Sequence, residues 1–208
     1  CADMKAIAAI AKKHNLFVVE DNAQAIDASG KGFKQGEYSN AVCTSFIIQK
    51  NLGTFGDGGA VLTNDDSIDR TCRRLRNHGS PARSRHSMGY NSRLDDLHAG
   101  ILLAKLPHLG KWSDQRIKIA ARYGQKLANL KNIILPYVEP GYRHVFHLYV
   151  IHTRRPDQRD DLLNFLNAQG VDAKCHYPIA IHQQEGYPWG KNARIVGGVA
   201  KIGRSTRL

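Results

Sequence analysis

The sequence predicts an α/β fold, in which an open sheet with flanking helices is followed by a small α+β domain. Two observations support this prediction. An amphipathic helix comes before short apolar runs without polar alternation, the pattern of strands buried on both faces of a parallel sheet. A separate β-α-β pattern then begins beyond residue 125. We therefore predict part of a large domain over residues 1–124 and a small C-terminal domain with an atypical end over residues 125–208.

The first helix is predicted to start after Asp3, a good N-cap, and to stop at Asn15, which tolerates a left-handed conformation. Residues at helical spacing form its apolar face: Met4, Ile7, Ala8 and Ala11. The apolar run 16–19 is then predicted to be a buried strand that ends in two acids, the second of which is Asp21.

Two further strands are predicted over residues 41–48 and 60–63, with Cys43 in the core. Helices are predicted over residues 67–76 and from residue 94 to 128, the latter interrupted near Pro107. Leucines on the long helical region are assigned to the core by default: Leu102, Leu106 and Leu127. In the small domain the prediction is a strand (145–151), a helix (157–169) closed by Gly170, and a strand (171–176).

Composition narrows the class of protein. The chain has 208 residues, 42% hydrophobic and 23% charged, as in ordinary soluble domains. No apolar run approaches the roughly 18 residues of a membrane helix, and residues 1–4 resemble no signal peptide, so we expect a cytoplasmic protein without membrane contact. The four cysteines lack metal-site spacing and are expected to be reduced thiols, with no metal bound.

The formal net charge of +12 suggests an anionic partner. Residues 191–208 contribute +5 of it, and arginines between residues 70 and 93 contribute much of the rest. These arginines lack the interleaved aromatic residues of a surface that binds single-stranded nucleic acid. A phosphorylated substrate is therefore favoured over nucleic acid.

Three polar residues lie in or after the predicted strands: Asp21 follows the first, Ser45 lies within the second, and Lys50 comes just after the second. Ligands of open α/β sheets bind at the edge where strands end, so these side chains are candidates for a site. An aspartate after a strand is also often a cap, and a single lysine is usually a solvated charge. The pattern of residues by itself leaves both interpretations open.

Four motifs in order make a more specific pattern. They are VEDNAQA at 19–25, SFIIQKNLG at 45–53, GDGGA at 56–60 and GYNSRL at 89–94. Together they resemble the DegT/StrS family of nucleotide-sugar aminotransferases, which depend on pyridoxal 5′-phosphate (PLP). The resemblance covers residues 1 to about 190 and implies the three-layer α/β/α large domain of fold type I. The family's N-terminal part, with a Gly-Thr phosphate-binding segment and an aromatic residue stacked on the cofactor, has no counterpart in this sequence.

The resemblance also implies roles for single residues. Lys50 corresponds to the catalytic lysine that binds PLP covalently, Asp21 to the partner of the pyridine nitrogen, and Gln24 to a neighbour of the ring hydroxyl. Ser45 corresponds to a ligand of the cofactor phosphate. Asn91 corresponds to the residue that reaches the phosphate in the other subunit's site, which implies a homodimer with shared active sites.

A physical reason supports the main roles. A carboxylate about 4 Å from the pyridine nitrogen contributes about 4 kcal/mol at an effective dielectric constant near 20. This raises the pKa of that nitrogen by roughly three, so that the ring accepts electrons near neutral pH. Lys50 must be uncharged when it attacks a carbonyl or removes a proton, and desolvation or neighbouring cations lower the pKa of a lysine in that direction.

The implied reaction transfers an amino group from glutamate, or a similar donor, to a keto sugar linked to a nucleotide. The alternatives are a cyclitol acceptor, an elimination, or an inactive relative without catalysis. The family places His176, Tyr177 and His182 near the substrate, although a packed or merely exposed histidine is more common. Arg93 is expected to pair with Asp95 or Asp96 rather than with phosphate.

Overall fold

The computed structural model of the chain describes residues 1–82 and 85–184. The chain divides into two compact units. Cys1–Ala121 and Val138–His147 form the first unit, and Arg122–Tyr137 and the residues from Leu148 onward form the second. The division into domains at residue 124 stays a prediction.

Local capping signals set the limits of the first two helices. Helix α1 is Met4–His14, where Asp3 Oδ1 accepts from the backbone N–H of Ala6 (3.1 Å). Asn15 ends the helix in the left-handed region (φ 51°), so both predicted ends are confirmed. Helix α2 is Asp66–Leu75 and is capped by the side chain of Asp65.

The long helical region is interrupted where proline removes a backbone donor. Helix α3 is Asp96–Lys105, a 3₁₀ turn follows at Leu106–His108, and helix α4 is Leu109–Leu127. The predicted interruption near Pro107 is confirmed. Leu102 and Leu109 are buried in one cluster with Leu52, whereas Leu106 is 51% exposed, contrary to its assignment to the core.

The main sheet of the first unit has three strands in the order β1-β4-β5. Strand β1 is Val19–Asp21, β4 is Ala41–Ser45 and β5 is Gly59–Leu62. Strands β1 and β4 are parallel, and β5 returns antiparallel to β4. Between β1 and β4, strands β2 (Ser29–Gly30) and β3 (Phe33–Lys34) form a small antiparallel hairpin.

Three predictions about these strands are wrong. Strand β4 ends at Ser45 rather than at residue 48. Strand β1 begins at Val19 rather than at residue 16, because the N–H of Leu16 bonds to the carbonyl of Ala11 and closes helix α1. Phe17 is 81% exposed. Cys43 is also exposed: Val42 and Thr44 are buried on one face of β4, and Cys43 points to the opposite face.

The second unit has a smaller sheet. Strands β6 (Ile133–Ile134) and β7 (His152–Thr153) pair antiparallel. A 3₁₀ turn at Pro156–Gln158 leads into helix α5 (Arg159–Ala168), and a further 3₁₀ turn lies at Ile181–Gln183. Gly170 has φ +79° just beyond α5, which confirms the predicted stop.

The predicted strands 145–151 and 171–176 do not form. Phe146 has φ +44°, a turn conformation, and side chains rather than a neighbouring strand bond to the backbone around it. After α5, the N–H of Val171 instead bonds to the carbonyl of Leu166 and closes the helix. Among the described residues, no helix has the length and apolar character that a membrane span requires.

Candidate active site

Asp21 and Ser45 lie at the same edge of the main sheet. Strands β1 and β4 run parallel, with Asp21 opposite Cys43, so Ser45 is two residues further along its strand. Since the carboxyl ends of parallel strands meet at one edge, the acid and the hydroxyl are brought together there. Their chain positions are 24 residues apart, and the pairing of the strands alone makes them neighbours.

The segment after β1 presents oxygen acceptors. Asp21 is exposed, and its Oδ1 accepts from the N–H of Ala23 (2.9 Å). The next residue, Asn22, is buried, and its N–H bonds to the carbonyl of Cys43 (2.7 Å). Its Oδ1 is buried without a hydrogen-bond partner among the described residues. Gln24 is exposed in the turn that follows.

Ser45 ends β4 opposite Gly59. Its hydroxyl oxygen accepts weakly from the N–H of Ile47 (3.4 Å), and the side chain is half-buried. A Cβ at position 59 would lie 2.8 Å from the carbonyl oxygen of Thr44, so the close approach of the two strands requires glycine here. The backbone is therefore closely packed where Ser45 ends β4.

Lys50 lies in residues 46–58, which we call the lysine turn. Backbone bonds join the two arms of the turn: Phe46 to Gly58 (2.7 Å) and Ile48 to Gly56 (3.1 Å). The N–H of Lys50 bonds to the carbonyl of Ile47 (2.8 Å), and the side chain is half-buried. A primary amine is thus held in a fixed turn directly after the strand that carries Ser45.

The lysine turn is packed against the rest of the first unit. A Cβ at Gly53 would lie 2.3 Å from the carbonyl oxygen of Ile48, a distance that atoms cannot adopt. The ammonium group of Lys105 donates to the carbonyl of Gly53 (2.5 Å). The hydroxyl of Thr54, which is fully buried, donates to the carbonyl of His98 (3.3 Å). Glycine, helix α3 and a buried hydroxyl together fix the path of the turn.

Asn51 joins the lysine turn to residues 144–147, which we call the anchor segment. Its side chain bonds to the carbonyl of Val145 and to the ring of His147. Within the anchor segment, His144 Nδ1 accepts from the N–H of Phe146 (3.0 Å), which requires an unprotonated Nδ1. Burial lowers the pKa of His144 below its ordinary value of 6.5, in agreement with a neutral ring.

Asn91 is not among the residues that this chain brings to the sheet edge. It pairs with Asn77 in an isolated bridge within residues 76–93, which we call the basic loop. In the same loop, Arg93 donates to Asn77 Oδ1 (2.7 Å) and lies 3.2 Å from His78 Nε2. The predicted pairing of Arg93 with Asp95 or Asp96 is therefore wrong.

The predicted substrate residues belong to the second unit. The rings of His176 and Tyr177 are 5.1 Å apart, and Tyr177 is 67% exposed. The side chain of His182 and all of residues 185–208, including the basic C-terminal stretch, lie outside the described residues.

Asn51, His147 and Arg116 had no predicted role. Arg116 donates to the carbonyls of Phe146 (3.2 Å) and His147 (3.4 Å) and so fixes the anchor segment. A polar residue directly after Lys50 was a usable signal for Asn51. Nothing local indicated its partners, because they lie 94 and 96 residues further along the chain.

An acid and a hydroxyl at the edge of a parallel strand pair, with a lysine in the following turn, are typical of one class of α/β enzyme. This is the large domain of PLP-dependent aminotransferases of fold type I, present here in part. A solved structure shares this fold: "X-ray crystal structure of S. venezuelae DesV in complex with ketimine intermediate". Its TM-score is 0.86 at 41% identity, and the match covers 95% of this chain and 52% of that one.

Residues 1–194 match the DegT/DnrJ/EryC1/StrS aminotransferase family, and the chain belongs to it. It is 47% identical over 186 residues to a "pleiotropic regulatory protein" of Geobacillus stearothermophilus. It is 42% identical over 187 residues to the dTDP-3-amino-3,4,6-trideoxy-alpha-D-glucose transaminase of Streptomyces venezuelae. These matches cover 88% and 89% of this chain. They cover 49% and 48% of the relatives, so the chain spans about half the length of the curated relatives it matches.

Proposed function

We propose that the protein carrying this chain is a PLP-dependent aminotransferase that transfers an amino group from glutamate, or a similar donor, to a nucleotide-linked keto sugar. The observation that carries the proposal is the parallel pairing of β1 with β4. It brings Asp21 to the same sheet edge as Ser45, and Lys50 follows in the turn that leaves this edge. Membership of an aminotransferase family, with a named sugar-nucleotide transaminase among its relatives, supports the same reaction.

The residues at this edge suit PLP chemically. An exposed carboxylate can pair with a pyridinium nitrogen, a hydroxyl can donate to a phosphate oxygen, and a half-buried primary amine can bond to an aldehyde carbon. The next residue after Asp21, Asn22, adds a buried amide oxygen that has no hydrogen-bond partner within the described ranges. When bound, PLP supplies an aldehyde that condenses with amines and a ring that accepts electrons from a forming carbanion.

Each residue then has a separate task. With the cofactor bound, Asp21 would hold a proton on the pyridine nitrogen by its negative charge, Ser45 would donate to the phosphate, and Gln24 would orient the ring hydroxyl. The amine of Lys50 holds the cofactor before the reaction. With the amino donor bound, Lys50 Nζ would accept the proton from the α-carbon of the donor and would return it to C4′ of the cofactor, the carbon on the other side of the transferred nitrogen.

We assign the other half of the proposed site to the second subunit of a homodimer. Most residues of the basic loop that the structure describes are exposed, and Asn91 is one of them. We place the partner's Asn91 at the phosphate of the site that contains Lys50, in a homodimer with shared sites. His176, Tyr177 and His182 stay predicted contacts to the sugar nucleotide, and the cytoplasm stays the predicted compartment.

The direct test is to incubate the protein with PLP, reduce it with borohydride and map the pyridoxyl label by mass spectrometry. We expect the label on Lys50. Asp21→Asn should keep the label and the hydrogen bond to Ala23, because Oδ1 is retained. It should lower the rate of transamination by roughly 10³-fold, because loss of the carboxylate charge lowers the pKa of the pyridine nitrogen by about three. A label on Lys31 or Lys34 instead of Lys50 would remove the mechanistic claim.

A further inference from the structure

Asn51 immediately follows Lys50, yet its side chain is buried and bonded far from the lysine turn. It is 9% exposed. Its Nδ2 donates to the carbonyl of Val145 (3.2 Å), and its Oδ1 lies 3.0 Å from Nδ1 of His147. Both polar atoms of the amide are therefore occupied by the anchor segment.

The chemistry of the partners fixes the orientation of this amide. The carbonyl of Val145 can only accept, so the NH₂ group of Asn51 must face it. The amide oxygen then faces His147, and because this oxygen also only accepts, Nδ1 of His147 must carry a hydrogen and donate. The reversed amide would bring two acceptors together at 3.2 Å.

The anchor segment is itself firmly held. Val145 is 2% exposed, and Arg116 donates to the carbonyls of the two following residues. At its other end, His144 accepts from the N–H of Phe146. Asn51 is thus bonded to a segment that is buried at Val145 and is also held by Arg116 and His144.

We propose that Asn51 and His147 form a positioning pair for Lys50, an inference that rests on the proposed function. The N–H of Lys50 is held on one side by Ile47 within the turn. The long-range bonds of Asn51 fix the other side, and with it the direction in which the lysine side chain leaves the backbone. A displacement of about 1 Å in a reacting group can cost about 10²-fold in rate. Asn51 and His147 contact neither the substrate nor the reacting atoms in this proposal.

The first test is Asn51→Asp, which keeps the shape of the side chain but puts an oxygen in place of Nδ2, facing the carbonyl of Val145. The matched control is Asn40→Asp. In the part of the chain that the structure describes, the side chain of Asn40 bonds only through Oδ1, which accepts from the N–H of Val18 (2.8 Å), so aspartate retains that bond. The readout is the initial rate at which PLP and borohydride label Lys50. We expect at least a 10-fold lower rate for Asn51→Asp and an unchanged rate for Asn40→Asp.

The second test examines the other member of the pair. In His147→Asn the amide Nδ2 takes the place of the ring Nδ1 and keeps a donor for Asn51, whereas His147→Asp places an acceptor there. We expect His147→Asn to label Lys50 at least 10-fold faster than His147→Asp. Transamination should show the same order in kcat, with a similar KM for the amino donor.

The outcomes separate the two proposals. Absence of label on Lys50 in the wild-type protein contradicts the proposed function itself. Label on Lys50 at equal rates in the folded wild type, Asn51→Asp and His147→Asp contradicts the positioning pair alone. If Asn51→Asp shows no cooperative thermal transition, the comparison of His147→Asn with His147→Asp decides, and equal rates in these two variants overturn the inference.

Discussion

The lysine turn and the basic loop are both glycine-containing connections of the first unit, and each carries a residue of the proposed site. Their hydrogen bonds lead to different places. Those of the lysine turn reach α3 and the anchor segment, through Thr54, Gly53 and Asn51. Those of the basic loop, in the part that the structure describes, stay within residues 72–93.

This difference matches the tasks that we assign to the two segments. Lys50 must stay in one position relative to Asp21 and Ser45, and its turn is fixed by distant parts of the same unit. Asn91 is assigned to another subunit's site, and its loop is an independently bonded projection, closed by the bond from Tyr90 to Leu75 (2.7 Å). Long-range bonding thus accompanies a role within the chain, and self-contained bonding accompanies a role between chains.

The largest effect is expected in mixed dimers, in which one subunit carries Lys50→Ala and the other carries Asn91→Ala. Lys50→Ala alone should abolish turnover, because no other residue of the turn can bind the cofactor covalently. Asn91→Ala alone should weaken PLP binding at both sites. A mixed dimer of the two variants contains one site with neither change, so it should regain about half of the wild-type activity per dimer.

The measurement is transaminase activity of a doubly tagged mixed dimer, purified by both tags, beside each parent variant. If Lys50 and Asn91 serve the same site from the same chain, mixing gives no site with both residues intact. Activity of the mixed dimer no higher than the mean of the parents would therefore contradict the shared site.

A smaller effect is expected from Gly53→Ala, which tests whether the lysine turn is as rigid as its contacts indicate. The added Cβ meets the carbonyl oxygen of Ile48 at 2.3 Å, so the backbone must shift. We expect the free energy of unfolding to fall by about 2 kcal/mol or more. The matched control is Gly100→Ala in α3, where a Cβ meets nothing within 4 Å. Helix propensity predicts a gain of up to about 1 kcal/mol there.

Urea unfolding of both variants, followed by circular dichroism, supplies the two free energies. If Gly53→Ala and Gly100→Ala had equal effects, the lysine turn would be adaptable and the comparison with the basic loop would lose its basis.

The smallest effect is expected from pH, through His144 in the anchor segment. Burial lowers the pKa of this histidine in the fold, so the unfolded chain takes up its proton first as the pH falls. The contribution of His144 to stability is therefore complete above its ordinary pKa of 6.5 and is lost as the pH falls below it. In His144→Asn the amide oxygen can accept from Phe146 without titrating.

Thermal unfolding midpoints at pH 7.5 and 5.5 provide the measurement. The decrease in the midpoint on acidification should be smaller for His144→Asn than for the wild type. An equal decrease in both proteins would show that other groups determine the loss of stability.

Local signals in the sequence predicted the parts of the fold that depend on neighbouring residues. Asp3 and Asn15 mark the two ends of α1, and both ends were predictable because capping involves only the first and last turns of a helix. The place of Asp21 at the end of a strand was also predicted, whereas Ser45 was predicted within a strand and instead ends β4. The role of Lys50 needed the resemblance, because an isolated lysine has no signature of its own.

What the sequence did not predict depends on distant residues. Residues 145–151 have the composition of a strand, but Asn51 and Arg116 occupy the backbone carbonyls of Val145 and Phe146. The exposure of Cys43 likewise depends on which elements cover a face of the sheet, and no periodicity within β4 reports this. Side-chain bonds across almost 100 residues leave no mark in any local pattern.

The bonds of Asn51 to the anchor segment also determine when, during synthesis of the chain, the lysine turn can complete its contacts. Val145 and His147 follow Asn51 by 94 and 96 residues. At translation rates of 5–20 residues per second, they emerge from the ribosome about 5–20 s after Asn51. Strands β4 and β5 can pair during that interval, because their partners are already present. The turn that carries Lys50 acquires its final support only afterwards, so the proposed catalytic lysine belongs to a late-maturing part of the nascent chain.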